Sequence, residues 1–268
     1  MTFAAMIGHM KDREVPQRIL ITGASGGLGS ALARFYARPG VSLSLWGRDV
    51  PRLTDVAQAC RAAGALVDVR SLDLSDVAGA VDSLNAEDNA HSVDLALFVS
   101  GLGDIRPPAD KVEGADLVAR LGVVNYVAPT ALAAALAARM AERGQGRIVL
   151  IGSAAAFHAL PFAAAYSGSK AGLARFAEAL RLGVREHGVA VTLVSPGFID
   201  TAAGRRVPGP KPLLRSPQKV AEAIARAAER RQAHVVLPWP FKILRLFDRL
   251  LPRALRERVL LGLSPPSR

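Results

Sequence analysis

Cysteine is almost missing: Cys60 stands alone in 268 residues. One thiol excludes an internal disulfide and a thiolate metal cluster, and it suits a reducing, cytoplasmic setting. Its Ala-rich helical surroundings make Cys60 a small buried residue. Metal-ligand spacing is missing too. His91, His158, His187 and His234 are scattered without pairing, so no metal is expected. No uninterrupted apolar stretch long enough to span a bilayer is found. The N-terminus mixes His9, Lys11, Asp12, Arg13 and Glu14 with few apolar residues. It lacks the apolar run of a signal peptide and reads as a loose extension.

What the chain does have is apolar material for one large core. Half of its residues are hydrophobic, and doubly wound sheets of roughly 250 residues are ordinary single domains. The net charge of +11 is unevenly placed. Residues 1–204 hold 19 Lys/Arg against 19 Asp/Glu, whereas residues 205–268 hold 15 against 4. The excess sits on a tail behind a neutral body. A nucleic-acid binder usually carries its basic residues with aromatics on a recognition element, and aromatics supply only 5% of this chain. No nucleic-acid partner is expected, and a solvated basic surface is the preferred reading.

Short β-branched or apolar runs alternate with helical stretches, the mark of a parallel sheet with crossover helices. Strands are expected at 18–22, 41–46, 65–72, 94–100, 147–153, 190–195 and 234–237. Helices are expected at 28–38, at 51–63 with Pro51 in the first turn, and at 116–143 with a bend near Pro129. Two more follow at 162–187 and from Ser216-Pro217 to about Arg231. No repeat and no linker divides the chain. The expected architecture is a single doubly wound, Rossmann-type α/β domain over 18–237, with a central, mostly parallel sheet of about seven strands flanked by helices. A loose extension precedes it at 1–17, and a basic amphipathic segment follows at 238–268.

The first strand runs into Thr22-Gly23-Ala24-Ser25-Gly26-Gly27-Leu28-Gly29 and then a helix. Glycines there let the backbone approach a pyrophosphate, and the helix N-terminus offers unpaired N–H groups and its positive dipole end. Glycines alone also make tight turns; the position between first strand and first helix gives this run its weight. The second strand ends Leu45-Trp46-Gly47-Arg48-Asp49. Gly47 stands where an acid would select NAD through the ribose 2′-OH, and Arg48 beside it suits a 2′-phosphate, so NADP(H) is favoured over NAD(H). A plain surface arginine is the competing reading. Asp49 is placed to cap the next helix. Asp73, in Leu72-Asp73-Leu74, is either an acceptor for the adenine amino group or a turn residue.

The fifth strand ends at Ser153, and Tyr166 and Lys170 follow four residues apart on one helical face. A phenol with pKa near ~10 is a poor base at neutral pH, but a neighbouring cation favours the phenolate. Ser153 opens into the crevice where doubly wound folds bind ligands.

On these motifs the chain resembles the classical short-chain dehydrogenase/reductase family over essentially 18–237. The matching residues are Thr22-Gly23-x-x-x-Gly27-x-Gly29, Asn125, Ser153, Tyr166-x-x-x-Lys170 and Pro196-Gly197-x-x-x-Thr201. The resemblance implies hydride exchange between NADP(H) and a carbonyl or secondary alcohol. It makes Tyr166 the general acid/base and Ser153 the partner of the carbonyl oxygen. Lys170 would hold the nicotinamide ribose and lower the tyrosine pKa, and Asn125 would fix a water for proton relay. Pro196, Gly197, Ile199 and Thr201 would border the nicotinamide, with Leu74, Ser100 and Gly101 beside the adenosine. One departure stands out: where the family usually carries Asn-Asn-Ala-Gly, this chain has Ser100-Gly101-Leu102-Gly103. An NADP-binding regulatory or scaffold protein with little turnover is the alternative, against which Asn125, Ser153, Tyr166 and Lys170 all weigh. An extended sugar-nucleotide epimerase needs a larger C-terminal domain than remains.

Substrate identity is not written in these residues. Arg205, Arg206 and Lys211 lie in the loop where the family has its mobile lid, and solvated lid charges are preferred to an anion site. His158 is read as a plain loop histidine. Ala-rich faces on 116–143 and 162–187 suit subunit pairing, so a homodimer or homotetramer is expected. In the tail, Ile243, Leu244, Phe247, Leu250 and Leu251 share one helical side and Lys242, Arg245 and Arg249 the other. That apolar side is expected to cover the substrate cleft or a neighbouring subunit, ahead of peripheral contact with an anionic membrane.

Overall fold

The computed structural model describes residues 16–103, 105–107, 110–207 and 209–262, so all but Pro16 and Gln17 of the expected N-terminal extension lies outside it. A parallel sheet buries both of its faces, and the strands here are apolar enough to do so. They are β1 (Arg18–Thr22), β2 (Ser42–Gly47), β3 (Leu66–Ser71), β4 (Leu95–Phe98), β5 (Gly146–Ile151), β6 (Val189–Pro196) and β7 (His234–Leu237). Their order is β3-β2-β1-β4-β5-β6-β7. Every pairing is parallel, stricter than the mostly parallel sheet expected.

The helices are α1 (Gly27–Tyr36), α2 (Val50–Ala62), α3 (Val77–Ala90), α4 (Ala115–Gly122), α5 (Ala128–Glu142), α6 (Ala164–Gly183), α7 (Ala202–Arg206), α8 (Pro217–Glu229), α9 (Pro240–Leu250) and α10 (Arg253–Gly262). Strand alternation sorts side chains between two layers. Ile19 and Ile21 of β1 pack with α1, α2 and α8, whereas Leu20 between them packs with α3, α5 and α6. Cys60 is buried in the first layer. The chain order reverses at β1, which pairs β2 on one side and β4 on the other. The crevice between the ends of β1 and β4 is therefore the switch point where such sheets bind ligands.

Helix α3 and the segment 115–142 differ from the sequence expectation. Helix α3 was not foreseen, because only Ala80 and Leu84 give it a buried apolar side and its other inward residues are Glu87 and Asp88. Asp88 is held by Arg139 Nε at 2.6 Å and Arg143 Nη1 at 2.8 Å, pairing that periodicity cannot reveal. The single bent helix expected at 116–143 is interrupted earlier than Pro129, by a π-helical turn at Val123–Val127. Pro129 falls in the first turn of α5, where its missing N–H costs little. The same missing N–H deprives the Asn125 carbonyl, four residues back, of its usual helical donor. Together, Ala115–Glu142 is also long and apolar enough to cross a membrane by length and composition alone. More than half of its most apolar window is buried inside the protein, as a core helix would be.

Expected caps form at two helices. Asp49 accepts from Arg52 N at 3.1 Å to open α2, and Ser216 accepts from Lys219 N to open α8.

Candidate active site

The glycine turn is dictated by close approach. Gly23 adopts φ +69, and a methyl group added to it would stand 2.9 Å from the Ser100 backbone. At Gly29 the same addition would come within 2.1 Å of the Gly23 carbonyl oxygen. Larger residues at either position would force the turn away from β4 or from its own helix. No side chain caps α1 at Gly26, so its first N–H groups and positive dipole end face the opening. The turn borders a cleft of about 410 Å³. Of the residues singled out in the sequence, Gly23, Ser25, Gly26, Gly27, Leu28, Gly29, Arg48, Asp73, Leu74, Ser100, Gly101, Ile199 and Thr201 line it.

One end of the cleft carries two arginines, each paired with an aspartate, Arg48 with Asp73 and Arg52 with Asp49. Gly47 leaves Ser25 room, since a Cβ there would lie 2.8 Å from Ser25 Oγ. Arg48 is exposed and reaches Asp73 Oδ2 at 3.9 Å. Asp73 does the work of a turn residue, accepting from Ser75 N at 2.9 Å. That bond holds its carboxyl below the ordinary value, assisted by the Ser75 hydroxyl and Arg48. Arg52 also lines this end. The strand that delivers Arg48 is anchored from beneath: buried Trp46 donates to Ser44 Oγ at 3.0 Å and to Glu87 Oε2 at 3.1 Å.

The middle of the site is held by side chains that span the crevice. Thr22 Oγ1 accepts from Val99 N at 3.1 Å and Ser100 N at 3.3 Å. Fully buried Asn125 accepts from Leu102 N at 2.8 Å and donates to Leu102 O at 2.9 Å. These bonds fix the segment that departs from the usual Asn-Asn-Ala-Gly, so the absent amides are replaced from outside it. A second pair of bonds carries the segment onward over the site. Arg106 N donates to Phe162 O at 3.1 Å, and Ala165 N, in the first turn of α6, donates to Glu113 Oε2 at 2.7 Å.

The chemical groups converge where β5 meets α6. Ser153 follows β5 and accepts from Ala155 N at 3.1 Å, and the Tyr166 phenol stands close enough to feel its hydroxyl. Burial raises the Tyr166 phenol above its ordinary value, and the Ser153 hydroxyl opposes that rise without cancelling it. The cation expected to lower it is turned elsewhere: Lys170 Nζ donates to Ile151 O at 2.9 Å. Lys170 is almost completely buried, and desolvation brings its pKa down to about 8. A Cβ on Gly101 would meet Asn125 Oδ1 at 3.2 Å and Lys170 Nζ at 3.3 Å, so Lys170 and Asn125 stand directly behind the cleft lining.

Beyond β6 the chain closes the other side. Thr201 caps α7, accepting from Gly204 N at 3.0 Å, and its methyl faces Gly27 so closely that a Cβ there would lie 2.6 Å away. Pro196 ends β6, and Gly197 N donates to Leu237 O at 2.6 Å. Phe241 of α9 covers Gly197, where a Cβ would meet its ring at 2.4 Å. Arg205 is paired with Asp200 Oδ1 at 2.6 Å, consistent with a lid charge. His158 stacks edge-on with Phe157.

This arrangement has a family. The sequence matches the short chain dehydrogenase family over residues 17–210. An uncharacterized oxidoreductase of Myxococcus xanthus is 33% identical over 241 residues, covering 88% of this chain and 93% of its own length. The chain belongs to the short-chain dehydrogenase/reductase family. It is an oxidoreductase of that family, and its fold has solved relatives. A short-chain dehydrogenase from Sphingobium yanoikuyae in complex with NADPH superposes with TM-score 0.75 at 26% identity, covering 95% of this chain and 98% of that one. A bulky-bulky ketone specific alcohol dehydrogenase from Comamonas testosteroni gives TM-score 0.74 at 26% identity, covering 95% and 96%.

Among the residues at the site that sequence reasoning missed are Arg52 and Glu113. Arg52 was legible in principle, being one helical turn beyond Arg48. Glu113 was not, since the backbone amide it caps lies 52 residues away.

Proposed function

We propose that the chain is an NADP(H)-dependent oxidoreductase acting on a ketone, an aldehyde or the corresponding alcohol, with Tyr166 as general acid/base. The observation that carries the reading is the Ser153–Tyr166 hydroxyl pair beside a cleft whose lining fits a dinucleotide. The glycine turn and the uncapped start of α1 would receive the pyrophosphate. Arg48 and Arg52 would hold the 2′-phosphate beside Ser25, in the space that Gly47 leaves open. Pro196, Gly197, Ile199 and Thr201 would border the nicotinamide, which would supply or accept the hydride when bound. As negative charge grows on the carbonyl oxygen, Ser153 Oγ and Tyr166 Oη donate to it, and Tyr166 Oη releases its proton. Lys170 Nζ, which donates to Ile151 O, would turn to hold the nicotinamide ribose. Asn125 would fix a water that connects Lys170 with solvent. Solved relatives support the cofactor and substrate class through the NADPH of the Sphingobium enzyme and the ketone specificity of the Comamonas enzyme.

The test is NADPH oxidation followed at its absorbance maximum against a panel of ketones and aldehydes. Turnover of at least one carbonyl with NADPH strongly preferred to NADH is expected; no turnover across the panel, or equal use of NADH, overturns the reading. Arg48→Ala is expected to weaken NADPH binding by about 1.5–3 kcal/mol and NADH binding hardly at all, because only the former makes a charge-assisted phosphate contact. Calorimetric titration of both cofactors checks this.

The reading includes a homodimer or homotetramer. Val118 on α4 and Tyr126 and Val127 on the π-helical turn are exposed apolar residues suited to pairing across that face. Light scattering is expected to give at least twice the chain mass, and a monomer at micromolar concentration would refute it.

A further inference from the structure

The apolar side of the tail, Ile243, Leu244, Phe247, Leu250 and Leu251, was expected to cover the substrate cleft or a neighbouring subunit; among the described residues it is Phe241, outside that side, that packs at the site. Phe241 packs on Gly197 and faces Phe198 at 6.5 Å. Trp239, Ile243, Leu244 and Leu250 are exposed instead, Trp239 to 68% and Leu250 to 71%. In α10, Leu255 and Val259 are exposed one turn apart. The side chains of Arg245, Phe247 and Arg249 lie outside the described residues. Nine of the seventeen large hydrophobic side chains exposed among the described residues lie at or beyond Leu213, on a stretch that also holds most of the positive excess of the chain, with 12 Lys/Arg against 4 Asp/Glu. Leu213 and Leu214 show the same mixture, standing exposed between Lys211 and Arg215 in the lid.

We propose that α9 and α10 dock the protein on an anionic membrane surface, with Trp239, Ile243, Leu244 and Leu250 entering the interface and Lys242, Arg253 and Arg258 meeting lipid headgroups. Three physical arguments select this occupant. A span needs about 20 apolar residues, whereas α9 and α10 have 11 and 10 and are separated by Pro252, so they lie on a bilayer rather than cross it. An exposed tryptophan beside a basic amphipathic helix has the composition of an interfacial segment. A second copy paired through this face about a two-fold axis would set the basic patch against itself, whereas anionic lipid complements it. Phe241, at the start of the docked helix, packs on Gly197, so the membrane-bound segment begins next to the site.

Co-sedimentation of the full-length protein with vesicles tests the proposal, using phosphatidylcholine alone or mixed with phosphatidylserine. Binding to the mixed vesicles at low salt, with release at high salt, is expected. Lys242→Ser combined with Arg258→Ser should weaken it roughly 25-fold, about fivefold for each charge removed. Leu244→Glu combined with Leu250→Glu should abolish it. Both changes are at exposed sites, so NADPH-induced thermal stabilisation should match wild type and report an intact fold. No binding to the mixed vesicles at low salt overturns the proposal. So does equal binding to neutral vesicles, or a Leu244→Glu/Leu250→Glu variant that changes oligomeric mass and still binds.

Discussion

Tyr166→Phe is expected to lower kcat on a confirmed carbonyl substrate by roughly 10²–10⁴-fold, the usual worth of a positioned general acid, and to leave the NADPH Kd nearly unchanged. The substitution removes one oxygen and keeps the ring, so the packing of α6 stays as it is. Ser153 loses a neighbouring hydroxyl but keeps the bond from Ala155 N. Single-turnover kinetics separates the two effects, and retention of most of the activity would show that another group supplies the proton. The direction of the Tyr166 shift adds a pH signature. Burial holds the phenol protonated through neutral pH, so carbonyl reduction should be flat there. Alcohol oxidation, which needs the phenolate, should climb as pH rises.

Lys170→Met is expected to abolish useful activity and yet stabilise the protein. The ammonium is nearly completely buried, and desolvation takes its pKa from 10.5 to about 8. Between those values the unfolded chain keeps a proton that the folded chain has released, so folding stability rises with pH across that window. Below about pH 8 the folded state carries the full penalty of a buried cation. Methionine fills similar volume without charge. Its gain at pH 7, after subtracting the lost bond to Ile151 O, is about 2 kcal/mol, or a few degrees in Tm. Thermal melts at several pH values check the sign: the gap between variant and wild type should close from pH 8 upward. A variant that melts below wild type by the same margin at every pH would mean that Lys170 is held by packing rather than tolerated for its chemistry.

What could be read from the sequence was short in range. The glycine turn, the Asp49 and Ser216 caps, the i, i+4 pair of Tyr166 and Lys170 and the strand runs all depend on neighbours within one or two turns. The failures were long in range. Helix α3 turns two acids inward because Arg139 and Arg143 meet one of them from 51 and 55 residues away. Thr22 looked like one more letter of a glycine motif, and its hydroxyl clasps β4's exit across 77 residues. The tail's helical pattern was legible, whereas its lack of cover was not, because periodicity gives a face and not what lies against it.

Leu102 is tied to Asn125, and Glu113 to the first turn of the tyrosine's helix. Cooperative local opening would release both contacts in one event, so the amides of Leu102 and Ala165 should exchange with deuterium at a common rate. A ligand that steadies the Leu102 contact should then slow the breathing of the helix that carries Tyr166 without touching that helix.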